Sequence, residues 1–188
     1  MKIAVSSYSF SALLNNGSMT QIDCIACAQD MGFDAIEFVE ILPHDGSTKE
    51  EYAQKLGNEV AKRGFSVTNF TVGADFLTGS GGDIDAEITR VKKLIDIAEL
   101  LGAKGVRHDA TAGFQKGKRL YQGFDDALPR VANACRSITE YAASKGIRTI
   151  VENHGFFCQD SERVERLINT VAHPNAIAGT ATLRFLFM

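Results

Sequence analysis

The segment Met31-Gly32-Phe33-Asp34-Ala35-Ile36-Glu37-Phe38 contains the end of one predicted helix and the start of the next predicted strand. Glycine at this joint suits the left-handed backbone conformation in which helices commonly close. The same joint recurs at Gly64, Gly102 and Gly146, at intervals of 32, 38 and 44 residues. Each interval has the length of one strand–loop–helix–loop unit, so the sequence predicts a series of βα units with parallel strands.

Hydrophobic periodicity divides each unit into a strand and an amphipathic helix. Thr20 and Asp23 form a predicted capping box at the start of the first clear helix, and Ser161 is the predicted N-cap of the last. The predicted strands are Ile3–Ser7, Asp34–Glu40, Ser66–Val72, Gly105–His108 and Arg148–Glu152, and the predicted helices are Thr20–Met31, Thr48–Arg63, Ile84–Leu101, Asp125–Lys145 and Ser161–Val171.

Two architectures are built from such units. An open doubly wound sheet suits five units and 188 residues. A (β/α)8 barrel needs about 250–300 residues at the usual unit length. Length therefore favours the open sheet, whereas the polar side chains at the strand ends favour the barrel.

Composition limits the classes of function. With 45% apolar and 23% charged residues the chain is globular, and a net charge of −3 without a basic run argues against a nucleic-acid partner. No apolar stretch approaches the roughly 20 residues of a membrane span, and the N-terminal segment becomes polar too early for a signal peptide. A cytoplasmic protein without a membrane partner is expected.

Cys24 and Cys27 form a C-x-x-C motif inside an apolar-periodic helix. A reactive pair usually lies at a helix N-terminus, and a structural zinc site would need a second pair of ligands at similar spacing. Together with Cys135 and Cys158, these residues are predicted to be buried free thiols of a reducing compartment.

Glu152 is the leading candidate for a catalytic residue. It follows the apolar end of a predicted strand, where a carboxylate can ligate a divalent cation or move a proton at a carbon next to a carbonyl. A structural role, as a helix cap or the partner of an arginine, is the alternative. His154 follows two residues later and is a candidate substrate ligand.

Other titratable side chains lie at the ends of the second and fourth predicted strands. Arg107 and His108 are candidates for binding the phosphate or hydroxyls of a substrate, unless a surface loop begins there. Glu40 is a further candidate substrate ligand. Glu37 is either an acid beneath the site or a structural anchor for Arg107 or a backbone amide. The glycine-rich residues 79–83 fit no nucleotide-binding fingerprint and are interpreted as a flexible surface loop.

With these strand ends the sequence resembles the xylose-isomerase-like TIM barrels, the sugar phosphate isomerase/epimerase group related to apurinic endonucleases. The resemblance depends on Gly32–Phe38, on Ala98–Ala103 and, most specifically, on Ile150–Gly155, which reads Ile-Val-Glu-Asn-His-Gly. It implies a partial (β/α)8 TIM barrel of about five to six βα units over residues 1–175. An endonuclease is disfavoured because the strand ends hold too few histidines.

The resemblance also implies a chemistry. The full-length family binds a divalent metal, often manganese, and its strand-five glutamate is both a metal ligand and an acid/base carboxylate, which maps onto Glu152. His108 and His154 would then face the substrate, a sugar or sugar phosphate, or support the metal site. Isomerases and epimerases of this type move a proton next to a carbonyl while the metal polarises the oxygens.

The sequence departs from the family pattern after Asn175. The family takes an aspartate, a histidine and a glutamate as further ligands from strands six to eight, whereas residues 176–188 contain no carboxylate and are interpreted as an aberrant tail. Our hypothesis is that the coding frame shifts near Asn175. With Glu152 as the single family ligand, this chain is expected to bind metal weakly or not at all, which puts its activity in doubt.

Three functions remain open from the sequence. The first is a metal-dependent sugar isomerase or epimerase. The second is a non-catalytic α/β binding module, which could form a homo-oligomer because an incomplete barrel leaves two unpaired sheet edges. The third is an open-sheet binding protein that is complete at this length.

Overall fold

The computed structural model describes residues 2–115, 117 and 121–179. Six parallel strands form one sheet in the sequential order β1-β2-β3-β4-β5-β6. A doubly wound sheet reverses its strand order at a switch point, whereas a barrel adds strands in sequence, so the barrel-type prediction is confirmed. The strands are β1 Ala4–Ser6, β2 Ala35–Val39, β3 Val67–Val72, β4 Gly105–His108, β5 Arg148–Glu152 and β6 Ala176–Gly179.

Helices alternate with the strands. At the start of α2, Thr20 accepts a hydrogen bond from the Asp23 backbone and Asp23 accepts one from the Thr20 backbone, as predicted. The prediction of Ser161 as the N-cap of α7 is wrong by one residue, because the Asp160 side chain accepts the bond from Arg163 N–H. The helices are α1 Ser11–Asn15, α2 Gln21–Asp30, α3 Lys49–Lys62, α4 Ile84–Leu101, α5 Phe124–Ser144, α6 Gly155–Cys158 and α7 Ser161–Val171. Within the described ranges, none of the helices combines the length and apolar character needed to cross a membrane.

The chain divides into two compact units, the first of which comprises residues 1–72, 92–106 and 145–147. Here β2 pairs in parallel with β1 and with β3. Ile36 and Phe38 of β2 are completely buried, and Tyr52 of α3 is buried with them. The Tyr52 hydroxyl lies 3.0 Å from His44 Nδ1, so its polar atom has a partner.

The second unit comprises residues 73–91, 107–144 and 148–188. In it β6 extends the sheet, with Thr149 opposite Ala176 and Glu152 opposite Gly179. Residues 176–179, assigned to the tail in the sequence, therefore form a paired strand. The rest of that tail, residues 180–188, lies outside the described residues, so the boundary at residue 175 stays a prediction.

Close helix packing in the first unit explains the glycine in the middle of α3. A Cβ atom at Gly57 would lie 2.4 Å from the Leu100 carbonyl oxygen of α4. We therefore expect Gly57→Ala to destabilise the protein by about 1–3 kcal/mol, the usual cost of overpacking, although alanine is the better helix former. Urea unfolding measures the change. The control Asn58→Ala alters the adjacent exposed position of the same helix and should cost much less; an equal loss in both variants would contradict the packing argument.

Candidate active site

Arg107 of β4 and Glu152 of β5 form an ion pair in the second unit. Arg107 Nη1 donates to Glu152 Oε1 over 2.8 Å, and the two side chains are 21% and 15% exposed. Side chains alternate across a sheet, and Thr149 of β5 bonds to Thr139 of α5 over 2.7 Å. Glu152, three residues along, therefore points to the face away from α5, together with Arg107.

His108 is separated from this pair. It follows Arg107 directly and so lies on the opposite side of the strand, where it is completely buried with its ring edge-on to Phe76. Its Nδ1 lies 2.9 Å from the Asp109 carbonyl oxygen. Nε2 is the one buried side-chain nitrogen or oxygen without a hydrogen-bond partner in the part of the chain that the structure describes. Burial lowers the pKa of His108, so the ring is neutral at pH 7.

His154 lies on the loop after β5. Its Nδ1 is 2.8 Å from Asp109 Oδ1, and its side chain is largely exposed. Gly155 follows with a φ of +76°, and a Cβ there would lie 2.8 Å from the Thr111 carbonyl oxygen. Glycine is thus required where the loop after β5 passes the loop after β4. The structure places Arg107, Glu152 and His154 at the carboxyl ends of two strands; their roles as ligands stay predictions.

Two carboxylates that are not among the predicted site residues, the half-buried Asp75 and the buried Glu87, hold the loop after β3. Asp75 accepts hydrogen bonds from the Thr111 hydroxyl at 2.7 Å and from the hydroxyl and backbone of Thr78. Glu87, 1% exposed, accepts bonds from Asp75 N–H, the Ser80 hydroxyl and Arg90. The position of Glu87 in the sequence could have identified it, because it is an acid in the first turn of α4, three residues before an arginine and just after the glycine-rich segment.

This network lowers the pKa of both carboxyls. Burial by itself would raise the pKa of Asp75, but the hydrogen bonds from Thr78 and Thr111 outweigh it. For Glu87 burial is likewise outweighed, by Arg90 and then by Asp75 N–H, and the pKa falls to about 2. Residues 79–82 form a turn before α4 in which Ser80 and Gly81 have left-handed φ angles of 50° and 72°, and the Ser80 hydroxyl donates to Glu87. Residues 80–82 are exposed, as expected for a surface loop, and the flexibility of this segment stays a prediction.

The first unit contains the other two predicted acids. Glu40 follows β2 with a left-handed φ of 57°, and its carbonyl oxygen accepts a bond from the buried Gln21 side chain at 3.0 Å. Glu37, inside β2, accepts a bond from Asn69 Nδ2 at 3.3 Å. Glu40 lines a cavity of about 210 Å³ at the ends of β1 and β2, formed by Ser7, Tyr8, Ser11, Leu14, Asn15, Val39, Glu40 and Leu42.

The sequence profile of the xylose isomerase-like TIM barrels matches residues 25–178, most of the chain. The chain belongs to this family. The resemblance inferred from Ile150–Gly155 and the two other motifs is thereby confirmed, and the sequential strand order agrees with a partial barrel.

Several solved structures have the same fold as this chain. A probable 3-DHS dehydratase from Bacillus anthracis shares 19% identity at a TM-score of 0.70, over 96% of this chain and 62% of that one. An L-ribulose 3-epimerase shares 17% identity at a TM-score of 0.72, and the match covers 96% of this chain and 60% of that one. The IolI protein, crystallised with a zinc atom, shares 16% identity at a TM-score of 0.70, and the match covers 94% of this chain and 61% of that one. The chain thus spans about three fifths of these structures. No curated protein matches it significantly.

The described residues do not fit a family metal at Glu152. A guanidinium nitrogen lies 2.8 Å from Glu152 Oε1, where a cation would bind. Across residues 2–115, 117 and 121–179, no group of three or more His, Cys, Asp or Glu side chains is positioned to hold a metal ion. Metal ligation by Glu152 was predicted from the sequence, and it enters no step of the reaction proposed below.

Proposed function

We propose that this xylose isomerase-like chain acts on a sugar or sugar phosphate and transfers a proton at the carbon next to its carbonyl, as a sugar isomerase or epimerase does. The observation that carries the proposal is the Arg107–Glu152 pair at the carboxyl ends of β4 and β5. Ligands of barrel enzymes bind at this end of the strands.

The pair supplies two of the groups that such a reaction needs. Glu152 is partly exposed, so its carboxylate can take the proton from a substrate carbon; a base positioned in this way contributes about 10²- to 10⁴-fold to the rate. Arg107 orients this carboxylate through a charge-assisted hydrogen bond of 2.8 Å. A guanidinium has five N–H donors, so it can also bind the carbonyl oxygen on which negative charge develops.

The neighbouring groups support a polar substrate. His154, with Asp109 beside it, projects into solvent on the loop that follows Glu152 and is suited to bind a sugar hydroxyl. The likeness in fold to an L-ribulose 3-epimerase supports a sugar as the substrate class.

A second function, non-catalytic sugar binding by a module that forms a homo-oligomer, has its own supporting observation. The same guanidinium that orients Glu152 neutralises it, so the pair also fits a carboxylate with a structural role. In that case sugar binding is expected without proton transfer.

The decisive experiment measures deuterium uptake from D2O into ketopentoses, ketohexoses and their phosphates by NMR, with and without Mn²⁺. For an isomerase or epimerase we expect one class of sugar to lose the proton next to its carbonyl faster than in buffer. Ligand-observed NMR and light scattering are recorded on the same samples. Sugar binding by an oligomer without any proton exchange would overturn the proposal in favour of the second function, and absence of both binding and exchange would overturn both.

A further inference from the structure

Asp109, on the loop after β4, is held between the loops that follow β3 and β5. The Thr111 hydroxyl donates to Asp75 Oδ1 over 2.7 Å, which ties the loop after β4 to the loop after β3. On the other side, a Cβ at Gly155 would lie 2.8 Å from the Thr111 carbonyl oxygen, so the loop after β5 packs tightly against the same residue. These contacts, all within the second compact unit, fix the position of Asp109 relative to His154.

Asp109 and His154 form a hydrogen-bonded pair in this position. Asp109 Oδ1 lies 2.8 Å from His154 Nδ1, and the two side chains are 28% and 67% exposed. A carboxylate only accepts hydrogen bonds, so Nδ1 carries the proton and the lone pair of the neutral ring lies on Nε2. In the part of the chain that the structure describes, Nε2 makes no hydrogen bond. This nitrogen is therefore available to accept a proton from a bound molecule.

The Arg107–Glu152 pair lacks one capability that sugar isomerisation requires. Epimerisation needs proton transfers at carbon only, whereas moving a carbonyl group to the next carbon needs proton transfers at both carbons and both oxygens. Glu152 serves the carbons, but the guanidinium of Arg107 cannot give up a proton in a protein. A neutral imidazole can take up a proton and return it, so His154 supplies the capability that the pair lacks.

We propose that the Asp109–His154 pair moves the proton between two substrate oxygens, so that the chain interconverts ketoses and aldoses. This inference rests on the proposed function and selects isomerisation within it. In the first step Glu152 takes the proton from the carbon that bears the hydroxyl. The C–H electron pair forms a C=C bond, and an electron pair of the carbonyl moves to its oxygen, near the guanidinium of Arg107.

His154 completes the exchange of the two oxygens. Its Nε2 takes the proton of the hydroxyl and returns it to the former carbonyl oxygen, while Glu152 gives its proton to the former carbonyl carbon. The C=C electron pair binds that proton, and a new C=O bond forms at the carbon that lost its proton, so no atom is gained or lost. Asp109 is a positioning residue, because it fixes the tautomer of the ring and stabilises the imidazolium that forms during the transfer.

The test separates deuterium uptake from conversion of the sugar. Uptake next to the carbonyl needs the Arg107–Glu152 pair, whereas ketose–aldose conversion also needs the Asp109–His154 pair. Both rates are measured by NMR in D2O with the ketopentoses, the ketohexoses and their phosphates. In His154→Gln we expect conversion to fall by about 10²- to 10⁴-fold and deuterium uptake by less than about threefold. In Asp109→Asn we expect conversion to fall by at least about tenfold, again with little change in uptake.

The role of Asp109 is also tested without a substrate. At a pH where the ring is neutral, ¹⁵N NMR of the unmodified chain should show His154 protonated at Nδ1. Asp109→Asn should raise the share of the tautomer that is protonated at Nε2. The matched control Asp30→Asn changes an exposed acid at the end of α2 and should leave the tautomer and both rates unchanged. Circular dichroism establishes that the variants are folded.

The outcomes separate this inference from the proposed function. Deuterium uptake without conversion in the unmodified chain would overturn the inference and leave an epimerase. A parallel fall of uptake and conversion in His154→Gln, unchanged conversion in that variant, or a ring protonated at Nε2 in the unmodified chain would also overturn the inference alone. Absence of any uptake would overturn the proposed function, and the inference with it.

Discussion

Replacing Glu152 by glutamine is expected to slow proton exchange next to the sugar carbonyl by about 10²- to 10⁴-fold. The amide oxygen can still accept the bond that Arg107 Nη1 donates over 2.8 Å, so the side chain keeps its place. An amide is not a base at neutral pH, so the step that removes the proton is lost. Deuterium uptake followed by NMR measures the effect, and this expectation depends on the proposed function.

The control is Glu140→Gln, on the exposed surface of α5. This variant also removes one negative charge, but from helix α5 and not from the end of β5. It should leave the rate of proton exchange unchanged. Circular dichroism and thermal unfolding establish that both variants are folded. A folded Glu152→Gln protein that exchanges the proton at the rate of the unmodified protein would show that Glu152 is not the base, even if the chain proves to be an isomerase or epimerase.

Replacing Glu87 by glutamine is expected to lower the free energy of unfolding at pH 7 by about 3 kcal/mol. Glu87 has a pKa of about 2, compared with an ordinary value of 4.5. Each pKa unit of this difference corresponds to about 1.4 kcal/mol of stability. The neutral amide cannot replace the carboxylate that accepts bonds from Asp75 N–H, Ser80 and Arg90.

The pH dependence has a definite sign. The pKa of Glu87 is lower in the folded state than in the unfolded state. Its contribution to the free energy of unfolding is therefore complete above about pH 4.5 and is lost as the pH falls toward 2. The difference between the unmodified protein and Glu87→Gln should therefore narrow by roughly 1 kcal/mol between pH 7 and pH 3.5, measured by urea unfolding. Asp85→Asn, an exposed acid in the same turn, is the control, with an expected cost below about 1 kcal/mol. A difference that does not change with pH would contradict the ionised state of Glu87.

Much of the secondary structure could be predicted because its causes are local. The predicted strands Gly105–His108 and Arg148–Glu152 coincide with β4 and β5, and the predicted helix Ile84–Leu101 coincides with α4. Apolar periodicity and glycine joints act over a few residues, and the capping box of Thr20 and Asp23 needs three residues of chain. The short helix α6 and strand β6 were missed because neither has a periodic pattern of useful length.

The candidate site was predictable in part. Glu152 and Arg107 were identified because charged residues at the ends of apolar strands are conspicuous. An arginine partner for Glu152 was one alternative from the sequence, but its identity as Arg107 was not predictable, since 45 residues separate the two. The opposite orientation of His108 could have been read from the alternation of side chains along β4. The partners of Glu87 come from a loop whose path the composition of residues 79–82 does not reveal.

By itself the sequence determined the alternation of strands and helices, the family motifs and the carboxylate at the end of β5, because periodicity, capping and turn chemistry are properties of short segments. Only the tertiary structure decided that the strands lie in sequential order, that Arg107 bonds to Glu152 and that Glu87 holds the loop after β3. These are contacts between distant segments, and their energies depend on burial and distance, which exist only once the chain has folded.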